Sequence, residues 1–143
     1  MFGWGLINAE RASSIITDDL QQDVLEELVL QNNDVYTREL TVPPGKDLRI
    51  TLSWTDKPGN PVTPQLDPSN PMLVNDLDLR IEGPDRVIYY PWHLDRDYPD
   101  SAAVNNTKNN VDNVEVVLVE SPGVGTYTPY VDHDGTLSGG SQA

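Results

Sequence analysis

The chain has 143 residues, no cysteine and a formal net charge of −14, from 23 acidic against 9 basic side chains. That length suits one domain with a sizeable core, and the missing thiols exclude disulfides, thiolate zinc sites and cysteine nucleophiles. An acidic surface repels phosphate backbones, which argues against nucleic acid as a partner, and no apolar run is long enough to span a membrane.

The first element in chain order is a short helix. Asn8 can cap it ahead of Ala9, although Arg11 stands where a capping box would want Glu or Gln. Ile15, Ile16 and Thr17 are β-branched and weaken its continuation, so one or two turns are expected. Beyond Asp18 the hydrophobic period becomes two. The runs Asp23–Leu30 and Val35–Val42, joined by Asn32-Asn33-Asp34, read as a hairpin. Pro43-Pro44-Gly45 is a turn.

Asp47–Trp54 is the clearest strand, with Leu48, Ile50, Leu52 and Trp54 on one face. Residues 55–71 hold five prolines and no periodicity, which predicts a long loop. Val74–Asp85 alternates again, with Leu77, Leu79 and Ile81 inward and Asp76, Asp78 and Arg80 outward. Arg86–Tyr90 follows a Gly83-Pro84-Asp85 turn, 91–111 is a second long loop, and Asn113–Glu120 is apolar enough for an interior strand. In Gly125–Val131, Pro129 lacks a ladder donor and predicts an edge or a bulge. Seven strands with little helix indicate an all-β, jelly-roll-like antiparallel β-sandwich, with one more strand expected after Ala143.

Three groups of residues could carry chemistry. Asp76 and Asp78 lie on one side of a strand, about 6.5–7 Å apart by strand rise, and same-strand carboxylates point in parallel rather than at a shared bond. With Asp56, Asn75, Asn110 and Asp112 they make a candidate calcium ligand set, since calcium needs six to eight oxygens; the competing reading is turn and loop hydrogen bonding. Tyr89, Tyr90 and Trp92 form an aromatic cluster suited to packing on a neighbouring domain or to stacking on a glycan. His93 and His133 each have an Asp close by, but no serine sits in a nucleophile-elbow context.

The stretch GWGLINAERA (Gly3–Ala12) resembles the segment that closes the catalytic domain of subtilisin-like serine proteases, a G-x-G-L-[IV]-[ND]-A-x-x-A pattern met by Gly3, Gly5, Leu6, Ile7, Asn8, Ala9 and Ala12. LRITLSWTD, LVNDLDLRIEGPD, YYPWHLD, DNVEVV and GTYTPYVDHDGTLSGGSQ then resemble, in order, the β-domain that follows the protease domain in some bacterial subtilases. The resemblance implies a catalytic-domain remnant over residues 1–20 and a β-sandwich over 21–143. The sandwich would pack in cis on an upstream protease domain, in a secreted or cell-surface protein of a family where calcium sites are common. The family's catalytic Asp, His and Ser all precede the first motif, so no residue here inherits a catalytic role. Family members continue past a G-x-Q stretch into a final strand, and this chain stops at Ser141-Gln142-Ala143. Absence of that strand would leave an open sheet edge prone to self-association. The rival functions are a glycan-binding module and a calcium-dependent interaction module.

Overall fold

The computed structural model describes residues 6–17, 24–66, 70–95, 97–98 and 100–143. Within them a helix, α1 (Ala9–Thr17), precedes strands β1 (Leu30–Gln31), β2 (Tyr36–Thr37), β3 (Leu40–Thr41), β4 (Leu48–Ser53), β5 (Asp76–Glu82), β6 (Ile88–Tyr89), β7 (Val114–Val119), β8 (Thr126–Asp134) and β9 (Ser141–Gln142). No described helix is long and apolar enough to cross a membrane.

Helix α1 starts as its cap dictates, with the Arg11 amide donating to Asn8 Oδ1 at 2.8 Å. It is longer than its β-branched end suggests. Those residues cost only a few tenths of a kcal/mol each, about 0.7 at most, so a capped start carries through them. The hydroxyls of Ser14 and Thr17 fold back onto the carbonyls of Arg11 and Ser13. No residue of α1 is buried. Met1–Gly5 and Asp18–Asp23, on either side of the helix and its leading residues, lie outside the described residues.

The strands form three antiparallel sheets, none closed on itself: β1 with β9, β4 with β7, and a five-stranded sheet in which β8 lies between β5 and the pair β2 and β3, with β6 on the far side of β5. Along β4 the side chains alternate as the sequence requires, Leu48, Ile50 and Leu52 half-buried and Arg49, Thr51 and Ser53 exposed. Leu48 and Ile50 stand opposite Val119 and Val117, and this row packs on Val42, Leu79, Ile81 and Tyr127 of the larger sheet. A second cluster joins Leu30, Trp54, Leu77 and Leu137.

Two expectations are corrected. The hairpin between Asp23–Leu30 and Val35–Val42 does not form. A turn does lie at Gln31–Asp34, with Asn33 at φ 67° and the Asp34 amide on the Gln31 carbonyl at 3.1 Å. It passes the chain from one sheet to another, because burial of Leu30 beside Trp54 takes β1 to β9. Val24, Leu25, Leu28 and Val29 are left exposed, and Asp23 lies outside the described residues.

The second correction concerns Pro129, which sits in interior strand β8 rather than at an edge. Strands β2 and β3 face β8 in a single register that lapses at Arg38 and Glu39, opposite Pro129 and Thr128. The Arg38 amide donates to the Pro129 carbonyl at 3.4 Å, and proline has no N–H to return the bond. The ladder to β5 runs past Pro129 without a gap, since Ile81 opposite it is paired by the neighbouring residues. The missing donor therefore splits the outer strand and spares the inner one.

Candidate functional site

Two polar centres flank the start of β5. The first surrounds Asn75, which is 1% exposed. Its side-chain amide donates to Gln142 Oε1 at 2.7 Å and its Oδ1 accepts from the Ser138 amide at 2.7 Å. Its backbone carbonyl accepts from the Trp54 indole at 3.1 Å, and its backbone amide donates to Asp56 Oδ1 at 3.0 Å. Gln142 carries the network on to the Thr55 carbonyl. The centre joins the 55–71 loop, β5, the turn after β8 and β9.

The second centre is ionic. On the outer face of β5, Asp76 and Asp78 stand opposite Asp134 and Asp132 of β8. The outward direction of Asp78 is as the alternation predicts, yet it is only 1% exposed. The second long loop closes over it: His93 and Val104 exchange amide hydrogen bonds at 2.8 and 2.9 Å, and the ammonium of Lys108 bridges Asp78 at 2.6 Å and Asp134 at 2.8 Å. Arg80 pairs with Asp132 at 2.6 Å and lies 4.9 Å from the Tyr130 ring centroid.

Glu115 approaches the same strand from the core side. It stands in the inward row of β7, opposite Leu52, and is 0% exposed. Its Oε2 accepts from the Leu79 amide at 2.6 Å. That amide lacks a strand partner because β6 pairs only with Ile81 and Glu82. Burial pushes the Glu115 carboxyl up to about 8, helped by the charges of Asp78 and Asp76 and opposed by the Leu79 hydrogen bond and Lys108. Burial, with Asp78 and Asp134 adding to it, raises Asp76 to about 6. Asp78 is also raised by burial, against the pull of Lys108. For Lys108 burial acts against the ammonium, but the hydrogen bonds and charges of Asp134 and Asp78 outweigh it and raise its pKa.

The calcium expectation is overturned. Among the described residues no group of three or more His, Cys, Asp or Glu is placed to hold a metal ion. Of the six candidate ligands, all but Asp76 are already committed elsewhere or stand apart. Asp56 accepts the amides of Val74, Asn75 and Lys57, and Asn75 serves the polar network. Asp112 accepts from Asn109 at 2.9 Å, Asn110 is exposed, and Lys108 supplies the positive charge beside Asp78. Tyr89 packs against the core, while Tyr90 and Trp92 are half-buried beside the buried Pro91. The Trp92 amide is tied to the Val116 carbonyl at 2.9 Å.

Sequence reasoning found Asp76 and Asp78 but missed Glu115, Lys108, Asp132 and Asp134. Glu115 had a signal, being an acid set inside an otherwise apolar strand. No family model and no curated protein matches the chain.

Proposed function

We propose that this chain is the non-catalytic, jelly-roll-like β-sandwich domain of a secreted bacterial subtilisin-like serine endopeptidase, preceded by the last segment of the catalytic domain. Its role is to stabilise the protease domain by packing on it in cis. The observation that carries this reading is the contrast at the N-terminus. A properly capped helix buries none of its residues, and it precedes a segment with Val24, Leu25, Leu28 and Val29 all more than half exposed. Glu26 holds that segment in front of β2 through Tyr36 and Arg38, so its apolar side chains are presented rather than collapsed. Apolar surface of this kind marks an interface.

The sandwich reading draws on the shared core of the β4–β7 sheet and the larger sheet. It also draws on Tyr127, whose hydroxyl donates to the Gly123 carbonyl four residues back at 3.2 Å, in the manner of a tyrosine corner. The outer edge of β4 has no partner among the described strands, and it is where a second copy would pair. Light scattering tests that point, and a monomer at every concentration removes it.

The decisive experiment reads the gene upstream of Met1 and expresses the longer product. A G-T-S-M-A-type nucleophile segment some tens of residues upstream is expected. In the longer product the amides of Leu6–Thr17 and Val24–Val29 gain hydrogen-exchange protection. An unrelated upstream sequence, or unchanged exchange, refutes the proposal.

A further inference from the structure

Among the described residues four carboxylate oxygens are buried without a hydrogen-bond partner: Asp76 Oδ1, Asp78 Oδ1, Glu115 Oε1 and Asp132 Oδ1. They gather around one strand. Asp76, Asp78, Asp132 and Asp134 share the outer face of the β5–β8 pair, and Glu115 reaches β5 from the opposite side. Among the described residues two cations bond to this group, Lys108 and Arg80, and both serve the outer face.

Among the described residues the charges that act on Glu115 are those of Asp78 and Asp76 on β5 and of Lys108 in the second long loop. β5 presents Asp76 and Asp78, and β4 presents Leu52 directly opposite. Tyr89 of β6 and Val131 of β8 pack on the core cluster that holds Val117 and Val119 of β7, and His133 of β8 is engaged through Nε2 by the Asn33 amide. The Leu79 hydrogen bond and the charge of Lys108 act in favour of its carboxylate. A buried carboxylate oxygen is satisfied by a metal ion, a donor or a proton. The described residues offer no metal cluster, and no donor reaches Glu115 Oε1.

We infer that the fold takes up a proton at Glu115, and that its loss loosens the seam between β5 and β7, making the protein a pH-gated domain that is tightest in weakly acid surroundings. The Glu115 bond to Leu79 is where the gate acts. It spans the two sheets at the point where β6 leaves β5, and ionisation there places a charge in the core beside two other acids. The raised carboxyl pKa values agree in sign. A group raised from 4.5 to about 8 gives stability that is complete below the lower value and is lost as pH rises through the upper one. Asp76, raised from 3.8 to about 6, adds an earlier part of the same fall. This inference stands whether or not a protease domain lies upstream.

The test is urea unfolding of the whole chain from pH 4 to pH 9.5, with exchange at the Leu79 amide followed by NMR and corrected for intrinsic base catalysis. The wild-type midpoint is expected to fall steadily between about pH 4.5 and pH 8, with Leu79 protection dropping at least tenfold. Glu115→Gln removes the fall between pH 6 and pH 8 and lessens it at lower pH, where Asp76→Asn removes the remainder. A wild-type midpoint that is flat or rising over that range, or a Glu115→Gln protein that keeps the full fall, overturns the inference. If Glu115→Gln does not fold, a carbon-13 carboxyl titration of the wild type decides. A Glu115 pKa in the ordinary glutamate range overturns the proposal, and one well above it upholds it.

Discussion

The two polar centres beside β5 are neighbours in sequence and opposites in construction. Around Asn75 each polar side-chain atom meets a partner, and the groups are neutral apart from Asp56. Around Asp76, Asp78 and Glu115 the side chains are charged and several oxygens are left without donors. Burial costs a satisfied amide little and an unsatisfied carboxylate a great deal. The first centre therefore fixes the geometry of the fold in a way that is indifferent to pH, and the second makes stability depend on protons.

The largest expected effect breaks the neutral centre. Asn75→Ala strands the Ser138 amide and the Gln142 side chain, and should cost about 3 kcal/mol at every pH. Denaturant unfolding at pH 5 and pH 8 checks it, and a strongly pH-dependent loss would erase the distinction between the centres. Next, Lys108→Met leaves Asp78 buried without a counter-charge. Because the lysine is about one-third exposed, the loss should be about 2 kcal/mol, and larger at pH 8 than at pH 5. Trp54→Phe removes the indole donor to the Asn75 carbonyl for about 1 kcal/mol, visible as a small shift in Tm without pH dependence. The smallest global effect belongs to Asn8→Ala. It removes the cap of a helix that buries nothing, so far-UV helicity should fall while the main unfolding midpoint stays put.

The same contrast explains what could be read from the sequence. β4 and β5 were legible because local alternation decides which side chain points inward, and the structure keeps that alternation. Asp76 and Asp78 were legible for the same reason. The burial of Asp78 was not, because it depends on Lys108 arriving from a loop 30 residues away. Asn75 presented itself as a metal ligand, yet its partners Ser138 and Gln142 lie 63 and 67 residues on. The mistaken hairpin has a like cause. Period-two patterns announce strands but not their partners, and the choice of β9 over β2 for Leu30–Gln31 was made by core burial. Pro129 misled because the sequence shows a missing donor without showing which neighbour loses it.

The pairing of Leu30 with Gln142, and of Tyr36 with Val131, also governs the order of assembly. Contacts that join residues about a hundred positions apart delay folding, placing such β-topologies in the range of milliseconds to seconds. On the ribosome β2 and β3 must wait for β8 to be synthesised before either has a partner, and until then β5 has β6 alone. The β1–β9 clasp likewise waits for Gln142. Strands β1, β2 and β3 stay unpaired until these late partners emerge, and a net charge of −14 opposes their association with other chains of the same kind in that interval.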